Sequence, residues 1–475
     1  AGRQKSLLDE YGNVEPWKGS PLVQAVWHGA DGRNGSAYSG EVTHALREGW
    51  MPLPSVEWSP APGLRMRTDA FAVEQPGGPV TLVRYRLSNA GTRAVRGTLS
   101  LLLRPLQVNP PWQHGGASPI RALAIEGSPS ATQVRVNGRV LLHSLTDVGA
   151  RGASAFGAHG EHEITRYAAR GTLPASLRAE DADGLAAAAL SYPVQLRAGE
   201  QRDVVIALPL GAVRIDAESS PLPDAPALDR AALLAGRSES AAFDALAEAT
   251  AEAWRARLGR VDLSLPDESL VRMLRAQTAY MLLNQSGPAL QPGPRNYNRS
   301  FIRDGSATAV ALLRMGLPQV ARDYLRWYAD HAVHANGLVS PILNEDGSVN
   351  RGFGSDLEYD SQGEFLWLVA EIARLDGGAE TVREFAPEVT RAMRFLQELR
   401  ERTLVPGYMA DRPAPERFRG ILAPSISHEG YAVPTHSYWD DHWGLKGWHD
   451  GAWLAEAWGD HATAAWARSQ YAVLR

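Results

Sequence analysis

Three short stretches bring together residue types that could do acid–base chemistry on a polar ligand. "NRSFIRDGS" carries Arg303 and Asp304, "SDLEYDSQGE" carries Tyr359, Asp360 and Gln362, and "HSYWDDHWG" carries His436, Trp439, Asp440 and Asp441, with Lys446 further along. Adjacent carboxylates such as Asp440 and Asp441 can raise one another's pKa and keep one protonated near neutrality, as a general acid requires. Glu429, in "SISHEGY", is a third candidate for the acid, and its plainer role is an ion pair with Arg419. A ligand suited by Arg-Asp, Tyr-Asp-x-Gln and Trp-Asp-Asp around one cavity is a sugar. Its hydroxyls bond to carboxylate and guanidinium groups, and its C–H face lies on an aromatic ring. Such a site calls for no metal and no cofactor. Taken singly, Asp304, Asp360 and the Asp440-Asp441 pair could each just cap a helix or complement its dipole. Capping, however, does not require Arg303, Tyr359, Gln362, Trp439 or His436 beside the acids.

Each stretch leads into a helix-like segment that is apolar nearly all round: "GSATAVALLRMG" (305–316), "FLWLVAEIARL" (365–375) and the tryptophan-rich run 443–458. Between them lie amphipathic segments, "PQVARDYLRWYADHAVH" and "PEVTRAMRFLQELRER". A helix apolar on every side must be surrounded, whereas an amphipathic one faces water, so the alternation predicts inner and outer helices. At about 100° per residue, Trp443, Trp448, Trp453 and Trp458 fall at widely separated angles, which predicts an enclosed helix with mostly core tryptophans. Parallel inner helices would gather their N-termini, and the three polar clusters with them, at one end.

The first half has another texture. From about residue 20 to 212 the pattern alternates with period two, broken by turn residues, and predicts an antiparallel β-sandwich. "VRVNGRVLLH" reads as a hairpin turning at Asn137-Gly138. "TLVRYRLSNAG" with "GTLSLLLRPL" reads as a second hairpin, and "YPVQLRAGEQRDVVIALPL" as a third. The Pro-rich "SSPLPDAPALDR" then marks a linker before a strong helix former. The expected division is a β-sandwich domain over 1–218, a linker with helix over 219–264, and the first part of an (α/α)6 toroid over 265–475.

Composition excludes several classes of function. With 48 basic and 53 acidic residues mixed along the chain and a formal charge of −5, no basic stripe is available to bind nucleic acid. No run approaches the ~18 apolar residues of a membrane helix. The absence of cysteine excludes thiolate catalysis and cysteine-based metal sites. The chain begins at Ala1 without a signal-like segment, so a soluble, mature or trimmed product is expected, its compartment left open between cytoplasmic and periplasmic or secreted.

"FIRDGS" at the start of one inner helix, "YWDD" before a later one, and a β-sandwich leading into helices together resemble the (α/α)6-barrel glycoside hydrolases, family 15 glucoamylases above all, with families 63 and 37 as relatives. The resemblance covers residues 295–475. It implies a glycoside hydrolase cleaving α-glucosidic or similar linkages of an oligo- or polysaccharide by an inverting acid/base mechanism. Arg303 and Asp304 would then hold the non-reducing-end sugar, Asp440 would donate the proton, and Asp441 would be its substrate-binding neighbour. Asp replaces the Glu of glucoamylases here, as in the Trp-Asp or Asp-Asp donors of families 63 and 37. In those families the base lies on a later hairpin, so a second polypeptide is expected to complete the barrel and supply it. An open half-barrel would expose apolar inner helices. Three alternatives stay open: a phosphorylase using inorganic phosphate, a lyase with Tyr359 or His436 as base beside Arg303, and a carbohydrate-binding pseudoenzyme.

Overall fold

The period-two alternation of the first half folds as two antiparallel sheets in the computed structural model, which describes residues 5–113, 115–210, 228–295, 297–351, 357–428 and 430–475. One sheet runs Leu7–Leu8, Val14–Glu15, Leu22–Gly29, Val95–Arg104, Ala187–Leu196, Ala150–Ser154, with Asn34–Ser36 also paired to Leu22–Gly29. The other runs Arg178–Glu180, Ala122–Glu126, Gln133–Val136, Arg139–Ser144, Gln201–Pro209, Val80–Asn89, Leu64–Val73, Met51–Ala61, Val42–Arg47. Alternate residues of each, such as Val83, Tyr85 and Leu87 from one and Leu99, Leu101 and Leu103 from the other, meet in one buried core. Each such side chain removed from water contributes about 1.5–3 kcal/mol.

The Asn137-Gly138 hairpin forms as expected, with both residues at positive φ (48° and 82°). The other two expected hairpins do not form. Val80–Asn89 and Val95–Arg104 lie in different sheets, and so do Ala187–Leu196 and Gln201–Pro209, so both connections are arches across the sandwich. Buried Asn89 joins the two arches, its side-chain amide donating to the carbonyls of Arg93, Leu196 and Arg197. Two strands with apolar inner faces and a short link look alike in sequence whether they pair or face each other.

The chain divides into two compact units, one of Gly2–Gly259 with Ser264–Ala279 and one of Arg260–Leu263 with Tyr280–Arg475. In the first, α1 (Ile164–Ala169) covers Leu102, Ala187 and Ala189 on the outer face of one sheet. Two helices follow, α2 (Arg230–Leu234) and α3 (Glu239–Leu258). α3 packs on the other sheet: Phe243 meets Phe71 edge-on at 4.8 Å, and the Arg84 guanidinium lies 4.3 Å from the Phe243 ring while bonding Asp69 and Asp244. The strong helix former read as part of a linker is therefore a covering layer of the sandwich; residues 211–227, with most of the Pro-rich stretch, lie outside the described residues. α4 (Glu268–Leu283) leads into the second unit.

There α5 (Ile302–Arg314), α6 (Pro318–Ala332), α7 (Ser361–Leu375), α8 (Ala386–Glu401), α9 (Tyr438–Ala457) and α10 (His461–Leu474) alternate as the sequence suggests. α7 packs between α5 and α9, and is buried nearly all round through Phe365, Leu366, Leu368, Val369, Ala370, Ile372 and Ala373. The three inner helices are parallel. Arg303 near the start of α5 meets Asp360 at the start of α7, which meets Trp439 at the start of α9, while Arg314 at the end of α5 pairs with Glu371 near the end of α7. Glycine sets the spacing at Gly363, where a Cβ would fall 2.0 Å from the Trp443 carbonyl oxygen of α9, and at Gly305, where it would fall 1.9 Å from the Tyr324 hydroxyl of α6. Of the α9 tryptophans, Trp448 and Trp458 are buried, Trp443 and Trp453 half-buried, and Trp439 is 36% exposed. Among the described residues, no helix is long and apolar enough to cross a membrane.

Candidate functional site

The inner helices begin earlier than their apolar runs. α5 starts at Ile302, which puts Arg303 and Asp304 inside its first turn, and α9 starts at Tyr438, which does the same for Asp440 and Asp441. The N-cap positions are Phe301, Asp360 and Ser437, and none makes a side-chain capping bond. These acids are thus held by something other than capping.

Arg303 is the hub of the first two clusters. Its Nη1 donates to Glu358 Oε2 at 3.1 Å and lies 3.6 Å from Asp360 Oδ2, while its Nε is 4.0 Å from Asp304. Asp360 is fully buried, and its Oδ2 also accepts the Trp439 indole N–H at 2.8 Å, which ties α7 to α9. The Trp439 ring lies 4.3 Å from that of His428, tilted by 34°, and remains partly exposed, so one aromatic surface borders the carboxylates. Asp304 is the most open acid here, its side chain 41% exposed, and burial still raises its pKa.

Asp440 is 1% exposed and accepts hydrogen bonds from the hydroxyls of Ser425 and Ser427. Ser427 adopts φ 51°, a left-handed conformation that costs a non-glycine residue about 1–2 kcal/mol. The local strain turns its hydroxyl to Asp440 and, at 3.2 Å, to Ser437. Burial pushes the Asp440 carboxyl up to about 7, and the charges of Asp360 and Asp441 add to that while the two serine bonds oppose it. A carboxyl that changes protonation near neutrality is suited to general-acid work.

Asp441 points elsewhere. Its Oδ1 accepts the Leu422 backbone N–H at 2.8 Å, fastening the incoming segment to α9. His436 fastens the same segment, with Nδ1 2.8 Å from the Leu422 carbonyl and Nε2 3.0 Å from the Tyr408 hydroxyl, and burial lowers its pKa. Tyr359 is buried edge-on against Phe395, its hydroxyl 3.5 Å from Arg402. Gln362 is fully buried, its amide donating to the Tyr359 carbonyl and accepting from Val339 N–H, both at 2.9 Å. Lys446 is drawn away from the cluster, Nζ lying 2.7 Å from Asp450 one turn on along α9. Arg303, Asp304, Asp360, Trp439 and Asp440 therefore come together, whereas Asp441, His436, Tyr359, Gln362 and Lys446 are each bonded to partners outside that group. Glu429 lies outside the described residues.

Four further residues belong to the cluster. Glu358 and Glu364 flank Asp360, and burial raises both carboxyls, Glu364 well above the usual range. Their signal was present in "SDLEYDSQGE", where four acids and a Gln crowd into ten residues. Ser425 and Ser427 had only "SISHEG" to announce them. Among the described residues, no group of three or more His, Asp or Glu side chains is arranged to hold a metal ion.

No protein-family model and no curated protein matches the sequence. Solved structures do. A bacterial glucoamylase complexed with acarbose matches with a TM-score of 0.65 at 11% identity, over 100% of this chain and 64% of that one. A protein assigned as a kojibiose phosphorylase from the human microbiome matches at 0.47 and 9% identity, over 97% of this chain and 62% of that one. The family GH92 α-mannosidase BT3965 from Bacteroides thetaiotaomicron, in complex with mannoimidazole, matches at 0.39 and 12%, over 88% and 50%. The chain thus spans under two thirds of the length of these structures, and over that span its antiparallel sheets followed by inner and outer helices are similar in fold to the bacterial glucoamylase.

Proposed function

We propose that the second unit binds the terminal sugar of an oligo- or polysaccharide and cleaves an α-glucosidic or similar linkage, with Asp440 as the acid that protonates the leaving oxygen. The carrying observation is the placement of Asp440: buried, held by two serine hydroxyls, and beside an Arg303–Asp360–Trp439 network that offers charge and a ring face to sugar hydroxyls and C–H groups. Inversion also needs a carboxylate about 6.5–9.5 Å from the acid to activate water. Asp360 is engaged by Trp439 and Arg303, and Asp441 by Leu422, so we assign the base to neither; it falls to another carboxylate, on this chain or on a second polypeptide. Elimination would need Tyr359 or His436 as a free base, and both are engaged in packing or hydrogen bonds.

The test is a screen of α- and β-glycosides with the product anomer followed by NMR, with and without inorganic phosphate. Release of the β-anomer from α-glucosides in plain buffer supports the reading. Turnover that requires phosphate and yields a sugar 1-phosphate replaces it with a phosphorylase, and sugar binding without turnover replaces it with a binding protein.

A further inference from the structure

Three carboxyl oxygens, on two side chains one helical turn apart at the start of α7, are left without donors. Asp360 gives Oδ2 to Trp439, but its Oδ1 has no hydrogen-bond partner, and neither carboxyl oxygen of Glu364 has one. Both side chains are fully buried. Residues four apart on a helix have Cβ atoms about 5–6 Å apart, within reach of two carboxyl groups. Two ionised carboxylates cannot occupy such a place side by side, because burial and like charge both oppose the second ionisation.

We propose that Glu364 is a positioning residue that keeps its proton and donates it as a hydrogen bond to Oδ1 of Asp360, so that the pair carries one proton and one negative charge. Asp360 is the acceptor of the two, because it already receives the Trp439 indole N–H and faces the Arg303 guanidinium. Glu364 is faced by Arg303 and Asp304 of α5, by Tyr324 and Tyr328 of α6, and by Glu358 and Asp360 at the start of its own helix, while Asp440 of α9 meets the pair through Asp360. Arg303 is the one cation in that set. Burial, then the charge of Asp360, pushes the Glu364 carboxyl well above the usual range. The shared proton fixes Asp360, and through it the ring of Trp439 and the fork of Arg303. It also limits the negative charge beside Asp440 to one unit from this pair.

The pair itself does not depend on the glycosidase reading; only its effect on turnover rests on that reading. Infrared difference spectroscopy of the whole protein at neutral pH, wild type against Glu364→Gln, reads the proton directly. Loss of a protonated-carboxyl carbonyl band in the variant supports the proposal, and loss of carboxylate bands instead overturns it, whether or not the protein turns over a sugar. The kinetic arm uses rescue. Gln keeps an N–H donor for Asp360, so Glu364→Gln should hold kcat/KM within about threefold, whereas Glu364→Ala, leaving a buried charge short of a donor, should lose about tenfold or more and move the basic limb of the pH profile. Equal losses in both variants, with the wild type active, would overturn the positioning role.

Discussion

The two ends of the inner helices both bury charge, and they do so in opposite ways. Partway along α9, fully buried Asp450 is met by Arg374 at 2.6 Å and Lys446 at 2.7 Å, and Arg374 and Arg314 both pair with Glu371. Every acid there meets cations, two carboxylates against three, and the result is a clamp between α5, α7 and α9. At the N-terminal end, Asp304, Glu358, Asp360 and Glu364 gather around Arg303, and Asp440 adds a further acid beside Asp360. That surplus of acid is tolerated in part because helix N-termini favour negative charge and in part because burial keeps protons on some of the carboxyls. A cluster whose acids all meet cations holds helices together, whereas one with surplus acid stores a transferable proton.

The largest effect should come from removing that proton. Asp440→Asn should lower turnover of an unactivated α-glucoside by about 100- to 10,000-fold while the fold, followed by circular dichroism, persists. The paired end should answer the other way. Asp450→Ala leaves Lys446 without its partner and Arg374 with Glu371 alone, and should cost about 1–3 kcal/mol in urea unfolding, with KM for the same glucoside unchanged. A loss of sugar affinity in that variant would erase the distinction between the two ends.

Trp439→Phe keeps a ring but removes the indole N–H from Asp360, and should reduce kcat/KM about tenfold with less effect on stability than Asp450→Ala. A further effect is a pH dependence of stability. Asp440 has a folded pKa of about 7, raised from 3.8, so the folded state binds this proton more tightly than the unfolded chain does. Its contribution is full at low pH and is lost as pH rises through about 7. Asp440→Asn should therefore unfold at higher urea than wild type at about pH 8, with the advantage shrinking toward about pH 5. The opposite trend would mean that Asp440 is stabilised as a carboxylate.

Much of this arrangement was legible in the sequence. Apolar runs flanked by "FIRDGS", "EYDSQGE" and "YWDD" located three inner helices and the end at which their acids meet, because enclosure demands residues apolar on every side and polar groups are then confined to the tips. What a side chain bonds was less legible. Asp440 and Asp441 are neighbours of the same type, yet one turns to Ser425 and Ser427 and the other to the Leu422 backbone, a choice made by the path of a distant loop. Lys446 read as a site cation only while Asp450 was not seen as its partner four residues on. In the sandwich, period two marked strands but not which sheet each one joined, since the Asn89 amide that links the two arches acts over more than a hundred residues.

The account turns on Asp440 giving its proton to the departing oxygen, and the most direct test compares two substrates in Asp440→Asn. An unactivated α-glucoside needs that proton, whereas α-glucosyl fluoride, with a leaving group that departs without full protonation, needs it far less. The expected result is turnover of the glucoside reduced about 100-fold or more, with fluoride release within about tenfold of wild type. Equal loss on both substrates would contradict the assignment and return Asp440 to a binding or structural role.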